Sequence, residues 1–291
     1  MTDKEFVINI DDQELHILQT GEPQGHELVA WHGFGTVNRF YDWPFLKPFG
    51  RVTRIGLPGH GPITQYNMTK WSSDYFFQLM NQALQQLFPQ PQAITLAGFS
   101  TGGYLALGTA LSTTLPVRQV ILINPLLWRP FNRLSKWVVL SKFWDGPGHR
   151  RFQRQLARRK ASIKGYYKDI QGSIKATESF AQNQAIKQLL IEGQADYQHL
   201  TPQMLRQMVK VIAQADIRPK VMAAEQVRFE TCLVCGDQDP TVPAEQSQWL
   251  AEHLQPVDYH QLPGIGHYAY AEAAQRTHDI ICRWLQQRIT R

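Results

Sequence analysis

The chain has 291 residues, of which 43% are hydrophobic and 19% are charged, with a formal net charge of +6 at pH 7. This length and composition are typical of a globular protein with one substantial core. No run approaches 18 consecutive apolar residues, and the first residues lack the apolar segment of a signal peptide, so we expect neither a membrane span nor a leader. The three cysteines are too few for a disulfide framework, which favours a cytoplasmic protein.

The first half of the sequence alternates predicted strands with predicted helices. The predicted strands are 5–10, 14–20, 27–33, 51–61, 92–99 and 116–125, and the predicted helices are 72–88 and 101–113. Several of these strands are apolar on both faces, which is typical of parallel strands buried between helices. The pattern indicates an α/β sheet with crossover connections.

The alternation resumes after residue 226, with predicted strands at 227–235 and 256–262 and predicted helices at 243–254 and 268–289. We therefore predict an α/β core from residues 1–124 and 227–291, interrupted by a helical insertion at 125–226. Cys232 and Cys235 stand three apart in one predicted strand and point to opposite faces, so they are not expected to share a metal.

One short motif joins a predicted buried strand to a predicted helix: Gly-Phe-Ser-Thr-Gly, residues 98–102. A serine nucleophile held on such a tight strand-to-helix turn needs neighbours without bulky side chains, since the backbone is strained and the helix packs close. The helix N-terminus also favours negative charge beside the serine. The motif predicts that Ser100 is catalytic.

A catalytic serine needs a base to take its proton and an acid to orient the base. Both residue types occur in loops after the insertion, in "CGDQDPTVP" (235–243) and "LPGIGHYAY" (262–270). His267 combines the end of a predicted strand with the chain order serine, aspartate, histidine. The residues alone leave the acid open between Asp237 and Asp239.

These motifs together resemble those of the α/β-hydrolase superfamily over essentially the whole chain. The superfamily's His-Gly-x-Gly loop is present at residues 32–35, and its Asp-x-Pro-Gly-x-Gly turn is present at residues 56–61 with Gly56 in place of the aspartate. The resemblance implies the α/β-hydrolase fold, a helical cap at 125–226, and Asp239 as the acid through the Gly-x-x-Asp spacing. It also implies an oxyanion hole from the backbone N–H groups of Phe34 and Thr101. A serine nucleophile argues against the haloalkane dehalogenases and epoxide hydrolases of the superfamily.

The activity that this resemblance implies is hydrolysis of a carboxylic ester through an acyl-enzyme, without a metal or an organic cofactor. Related families keep the fold and the triad but act as carbon–carbon bond hydrolases, as a lyase of menaquinone synthesis, or as cofactor-free haloperoxidases (perhydrolases). A ligand sensor on the same fold is a further, non-enzymatic alternative. Turnover of simple aryl esters separates these hypotheses.

The insertion is rich in aromatic residues, some of which we expect to wall an apolar acyl pocket together with Phe34 and Phe99. The aromatic residues concerned are Trp128, Phe131, Trp137, Phe143, Trp144, Tyr166 and Tyr167.

The insertion is also basic, with 18 Lys and Arg against 7 Asp and Glu. Arg150, Arg154 and Arg158 recur every four residues and lie opposite the apolar Phe152 and Leu156 around a helix. This basic face is either a solvated surface or a docking face for an anionic carrier or an anionic surface. The esterase that releases pimeloyl groups from acyl-carrier protein has a basic cap of this kind. No nucleic-acid motif accompanies the charge.

Overall fold

The computed structural model describes residues 4–21, 26–40, 43, 45–90, 92–129, 146 and 148–289. Within these residues, eight strands form a single sheet. The strands are β1 (Lys4–Ile10), β2 (Gln13–Thr20), β3 (His26–Trp31), β4 (Gly50–Ile55), β5 (Ile94–Phe99), β6 (Val117–Ile123), β7 (Glu230–Gly236) and β8 (Val257–Leu262).

The sheet is mostly parallel, in the order β1-β2-β4-β3-β5-β6-β7-β8. Only the β1–β2 and β2–β4 pairs are antiparallel, and every pair from β4 to β8 is parallel. All six residues of β5 are buried, because helices cover both faces of this central strand. The predicted α/β class is confirmed.

Twelve α-helices occur in the described residues, none of them long and apolar enough to cross a membrane. They are α1 (Ser73–Leu87), α2 (Thr101–Ser112), α3 (His149–Ala161), α4 (Ile163–Ile170), α5 (Thr177–Gln182), α6 (Gln184–Glu192), α7 (Gln194–Tyr197), α8 (Pro202–Gln214), α9 (Arg218–Met222), α10 (Ala244–His253), α11 (Ala269–Glu272) and α12 (Ala274–Ile289).

Local sequence signals explain where several helices begin. The Ser72 hydroxyl caps α1 by accepting a hydrogen bond from the Tyr75 N–H. The Thr201 hydroxyl caps α8 in the same way, and Pro202 follows at the first helical position. Both helices bury one apolar face, as their hydrophobic periodicity predicts.

Helices α3 to α9 all lie between β6 and β7, and we call them the helical segment (residues 149–222). They occupy the region in which the sequence predicts a helical insertion, although the limits 125 and 226 stay predictions. Four of the aromatic residues named above lie outside the described residues: Phe131, Trp137, Phe143 and Trp144.

The predicted helix at 268–289 is in fact two helices. The backbone of Ala273, at φ −130° and ψ 49°, is not helical and separates α11 from α12. Thr277 in the first turn of α12 donates a hydrogen bond from its hydroxyl to the Ala269 carbonyl, which stabilises the break. The prediction was wrong here because apolar periodicity does not reveal a local break that side chains stabilise.

Candidate active site

Ser100 lies on the sharp turn between β5 and α2. Its backbone has φ +55° and ψ −118°, a conformation that a residue other than glycine rarely adopts. The glycines on either side are required by close contacts. A Cβ atom at Gly98 would lie 2.2 Å from the Gly102 carbonyl oxygen, and one at Gly102 would lie 2.3 Å from the Trp31 carbonyl oxygen.

A chain of hydrogen bonds connects Ser100 to two side chains from the far end of the sequence. The Ser100 Oγ lies 3.1 Å from the His267 Nε2, and the His267 Nδ1 lies 2.6 Å from the Asp239 Oδ2. Because a carboxylate can only accept, the Nδ1–H donates to Asp239, which leaves Nε2 of the neutral imidazole to accept from the serine hydroxyl. The three residues are buried, with 6%, 8% and 4% exposure for Ser100, Asp239 and His267.

The structure separates the two aspartates between which the residues alone could not choose. Asp239 contacts His267, and its Oδ1 accepts hydrogen bonds from the backbone N–H groups of Thr241 (2.7 Å) and Val242 (2.9 Å). Asp237 is exposed and accepts from the Gly264 N–H at 2.7 Å, within the surface turn. Asp239 therefore contacts the histidine, whereas Asp237 lies on the surface and takes no part in the hydrogen-bond chain to Ser100.

Sequence reasoning missed Asn124, the residue directly after β6. Its Nδ2 donates hydrogen bonds to Asp239 Oδ2 at 2.9 Å and to the Gly266 carbonyl at 3.3 Å. Asn124 has φ +44°, which asparagine tolerates better than most residues. The side chain links the aspartate loop to the histidine loop.

Sequence reasoning also missed Glu272, at the end of α11. Its buried carboxylate accepts hydrogen bonds from four backbone N–H groups. The donors are those of Gly266 (3.0 Å), Tyr268 (2.9 Å), Lys175 (2.7 Å) and Ala176 (2.8 Å). Two of them flank His267 in sequence and two belong to the helical segment, so Glu272 fixes the histidine loop against that segment.

Hydrogen bonds from its own buried His32 and Thr36 side chains stabilise the loop after β3, residues 32–36. The carbonyl of Gly33 accepts hydrogen bonds from the Thr36 hydroxyl at 2.7 Å and from His32 Nδ1 at 2.8 Å. The Nε2 of His32 accepts from the Leu57 N–H at 3.1 Å, which requires the neutral ring. Burial is the main cause that holds the pKa of His32 well below its usual value. Because the peptide unit is planar, fixing the Gly33 carbonyl also fixes the direction of the Phe34 N–H.

A cavity of about 820 Å³ opens above Ser100. Its apolar lining comes from both the sheet and the helical segment: Phe34, Phe99, Phe152, Leu156, Ile170, Leu205 and Tyr268. Phe34 and Phe99 thus line the cavity, as the sequence analysis expects. Trp128, Tyr166 and Tyr167 are not among the lining residues. Trp128 instead packs edge-to-face on Trp249, with ring centroids 5.6 Å apart.

Basic side chains from α3 and α4 line the same cavity: Arg150, Arg151, Arg154, Arg158, Arg159 and Lys168. The acidic Asp169, also in the lining, binds Arg158 and Arg159. Arg150 and Arg154 are exposed and form no ion pair with a described residue, whereas Phe152 and Leu156 on the opposite face are buried. The cavity therefore combines an apolar wall with a strongly cationic one.

Comparison with known proteins agrees with this fold. A family model described as the alpha/beta hydrolase family matches residues 28–280. The chain belongs to the alpha/beta hydrolase family. The enol-lactonase from Burkholderia xenovorans has a similar structure, with a TM-score of 0.75 over 97% of this chain and 100% of that chain at 17% identity.

Two curated proteins are similar in sequence over most of their length. The magnesium-chelatase 30 kDa subunit of Rhodobacter capsulatus is 26% identical over 277 residues, which cover 93% of this chain and 90% of the relative. The pimeloyl-[acyl-carrier protein] methyl ester esterase of Nitrosomonas europaea is 25% identical over 263 residues, 87% of this chain and 92% of the relative. The likeness to the methyl ester esterase and the family membership support a hydrolase.

Proposed function

We propose that this protein is a serine hydrolase that cleaves a carboxylic ester through an acyl-enzyme. The observation that carries the proposal is the Ser100–His267–Asp239 hydrogen-bond chain, with its serine at the floor of a large cavity. The likeness to a methyl ester esterase supports an ester as the substrate.

In the proposed reaction the Ser100 oxygen attacks the ester carbonyl while the hydroxyl proton passes to His267 Nε2. Asp239 keeps Nε2 facing the serine and stabilises the imidazolium. The tetrahedral intermediate collapses, the proton passes from His267 to the leaving alcohol, and the acyl group remains on Ser100. A water molecule then attacks the acyl-enzyme, gives its proton to His267, and releases the acid as Ser100 regains that proton.

The backbone N–H groups of Phe34 and Thr101 are the proposed oxyanion donors. Thr101 is the first residue of α2, where the positive end of the helix dipole favours negative charge. The bonds to the Gly33 carbonyl orient the Phe34 N–H, as described above. A donor of this kind contributes about 2.7–4 kcal/mol of transition-state stabilisation.

We propose further that residues 125–226 form a cap over this site. The support is that α3 and α4, together with Leu205 of α8, supply cavity-lining residues opposite Ser100. The core would then comprise residues 1–124 and 227–291. The cytoplasmic location of the protein stays a prediction of its sequence.

The cationic wall leads us to propose an anionic partner, an acyl carrier, at Arg150, Arg154 and Arg158. Arg150 and Arg154 are exposed at the cavity without a carboxylate partner among the described residues, so they are available to phosphate or acidic side chains. The Nitrosomonas europaea relative is named for an ester carried on acyl-carrier protein. Arg158 also binds Asp169, so it is less available than the other two.

A fluorophosphonate probe tests the central claim, because an activated serine oxygen displaces its fluoride and becomes phosphonylated. We expect stoichiometric labelling of the wild-type protein at Ser100, identified by peptide mass spectrometry, and hydrolysis of p-nitrophenyl esters that labelling abolishes. Ser100→Ala should show neither. Labelling that persists unchanged in Ser100→Ala would overturn the proposal, whereas labelled Ser100 without ester turnover would favour the carbon–carbon hydrolases and perhydrolases.

A further inference from the structure

The carbonyl of Gly35, in the proposed oxyanion loop, is bound from outside by two side chains of the helical segment. It accepts a hydrogen bond from the Tyr197 hydroxyl at 2.7 Å and a longer one from Arg159 Nη1 at 3.2 Å. Gly35 has φ +68°, and a Cβ atom there would lie 3.3 Å from Arg159 Nη1. Glycine thus permits both the turn and this close approach.

The two donors are themselves held in a buried network. Arg159 donates from Nη1 to the Tyr197 oxygen at 2.9 Å and from Nε to Asp169 Oδ2 at 2.8 Å. Burial raises the pKa of the Tyr197 hydroxyl, so this group keeps the proton that it donates to Gly35. A cationic donor to the phenol oxygen polarises the O–H bond and strengthens its donation to the carbonyl.

The same part of the helical segment packs tightly on the residues that follow the loop. A Cβ atom at Gly193 would lie 2.1 Å from the Phe40 ring, so only glycine fits there. Phe40 also stacks on Tyr197, with ring centroids 5.8 Å apart. In addition, Arg39 forms an ion pair with the buried Asp196 at 2.9 Å. The position of Tyr197 relative to the loop is therefore well defined.

We propose that Tyr197, oriented by Arg159, is a positioning residue that fixes the oxyanion loop from the side of the helical segment. Phe34 lies between two anchored carbonyls, that of Gly33 bound by the core and that of Gly35 bound by Tyr197 and Arg159. Releasing the outer anchor would allow the loop to move and would misalign the Phe34 N–H. The inference rests on the proposed function, in which that N–H binds the oxyanion.

The substitution Tyr197→Phe removes only the hydroxyl and keeps the aromatic packing. On p-nitrophenyl butyrate we expect kcat to fall roughly 10-fold, less than the about 10²–10³-fold that loss of an oxyanion donor costs. We expect KM to stay close to the wild-type value. Phenylboronic acid, whose Ser100 adduct is tetrahedral like the intermediate, should bind more weakly by the same factor as kcat.

The matched control is Tyr167→Phe, in the same helical segment. The Tyr167 hydroxyl forms no hydrogen bond with a described residue, and its ring packs on Phe180 with centroids 5.7 Å apart. This variant should keep wild-type kcat and boronic acid affinity. A purely structural role for Tyr197 would lower Tm but leave both quantities unchanged per folded molecule, which would overturn the inference.

The substitution Arg159→Lys is a second, independent test if Tyr197→Phe does not fold. Lysine keeps the charge but cannot bind Asp169, Tyr197 and Gly35 together as the guanidinium does. We expect a similar loss of kcat, and a double variant that loses less than the two separate effects combined, since both act through one loop. Wild-type kcat in Arg159→Lys would contradict the inference. An inactive, unlabelled wild-type protein would instead refute the proposed function itself.

Discussion

At the scale of single residues, four hydrogen-bond donors hold the Asp239 carboxylate of the candidate site in place. Its Oδ1 accepts two backbone N–H groups, and its Oδ2 accepts from Asn124 and His267. A carboxylate held by four donors cannot rotate without losing several of them. The imidazole ring of His267, the proposed base, is therefore held with its Nε2 facing Ser100.

Asp239→Asn is expected to lower kcat by roughly 10⁴-fold, because the amide no longer holds the imidazole in the productive tautomer. Steady-state kinetics on an aryl ester measures the loss. Asp237→Asn is the matched control from the same loop, and we expect it to change kcat little, since among the described residues the Asp237 carboxylate accepts a hydrogen bond only from the Gly264 N–H. A larger loss in Asp237→Asn than in Asp239→Asn would reassign the acid.

Residue type and loop position were enough to select Ser100 and His267 from the sequence. Asn124 and Glu272 could not be found in this way, because their roles depend on where backbone groups converge. Glu272 binds N–H groups from residues 175–176 and from residues 266 and 268, which only the folded chain brings together. A carboxylate four residues into a predicted helix carries no such signal.

At the scale of secondary-structure elements, α3 is the helix whose apolar and basic periodicity in the sequence corresponds to two parts of the cavity lining. Its buried residues Phe152 and Leu156 pack inward, and its exposed arginines lie on other faces of the helix. Because Phe152, Leu156 and the arginines all line the cavity, this helix contributes both its apolar and its cationic wall. Periodicity predicted which residues are buried but could not place the helix beside Ser100.

The paired substitution Arg150→Gln and Arg154→Gln tests the proposed carrier docking. On an ester linked to an acidic acyl carrier we expect kcat/KM to fall roughly 10-fold at low salt, because exposed charges act mainly on the encounter rate. The difference should shrink as salt is raised, since at physiological ionic strength exposed charges more than about 8–10 Å apart are largely screened from each other. Turnover of a small neutral ester should change far less.

The matched control for this experiment is Lys187→Gln with Lys210→Gln, which removes the same charge from exposed positions of the helical segment away from the cavity. It should leave the carrier-linked ester unaffected. Equal losses in the two paired variants would show that net charge alone is responsible. Equal losses on both substrates would show damage to α3.

The aromatic residues of the predicted insertion, residues 125–226, show why the packing of the elements could not be predicted in full. Trp128 packs on Trp249, and Tyr166 packs on Phe40 with ring centroids 5.0 Å apart, so both belong to local cores. Composition identifies large apolar groups but not their partners. The helical segment contributes Phe152, Leu156, Ile170 and Leu205 to the apolar lining instead, and the sequence did not identify these residues as part of a pocket wall.

At the scale of the whole molecule, the core contains histidines that are held neutral. His32 and His60 are buried, with ring centroids 5.3 Å apart. Burial is the largest influence on the pKa of each histidine, and it lowers the pKa of His60 from 6.5 to about 4. His32 binds the Gly33 carbonyl of the proposed oxyanion loop, whereas His60 binds the Pro58 carbonyl, so we expect protonation of His60 to act mainly on the stability of the fold.

Folding stability is expected to decrease as pH falls from about 6.5 to 4, because a histidine with an ordinary pKa of about 6.5 takes up a proton in the unfolded chain. Folded His60 remains neutral until about pH 4. Within this window the free energy of unfolding falls by up to about 1.4 kcal/mol per pH unit for each such histidine. Urea unfolding at pH 7 and pH 5 measures it.

The variant His60→Gln isolates this contribution, because glutamine can donate to the Pro58 carbonyl as His60 Nδ1 does at 3.0 Å but does not titrate. We expect a smaller decrease in the free energy of unfolding between pH 7 and pH 5 than in the wild type. Equal decreases in the two proteins would mean that other groups cause the acid sensitivity.

The order of the strands along the chain determines when the proposed catalytic residues are all present during synthesis. Ser100 follows β5, Asp239 follows β7, and His267 follows β8, the last strand of the chain to be made and an edge of the sheet. A nascent chain that has completed β6 carries the strained serine but neither its acid nor its base. In the proposed mechanism such a chain is inert towards esters, so the growing polypeptide is not a hydrolase until β8 joins the sheet.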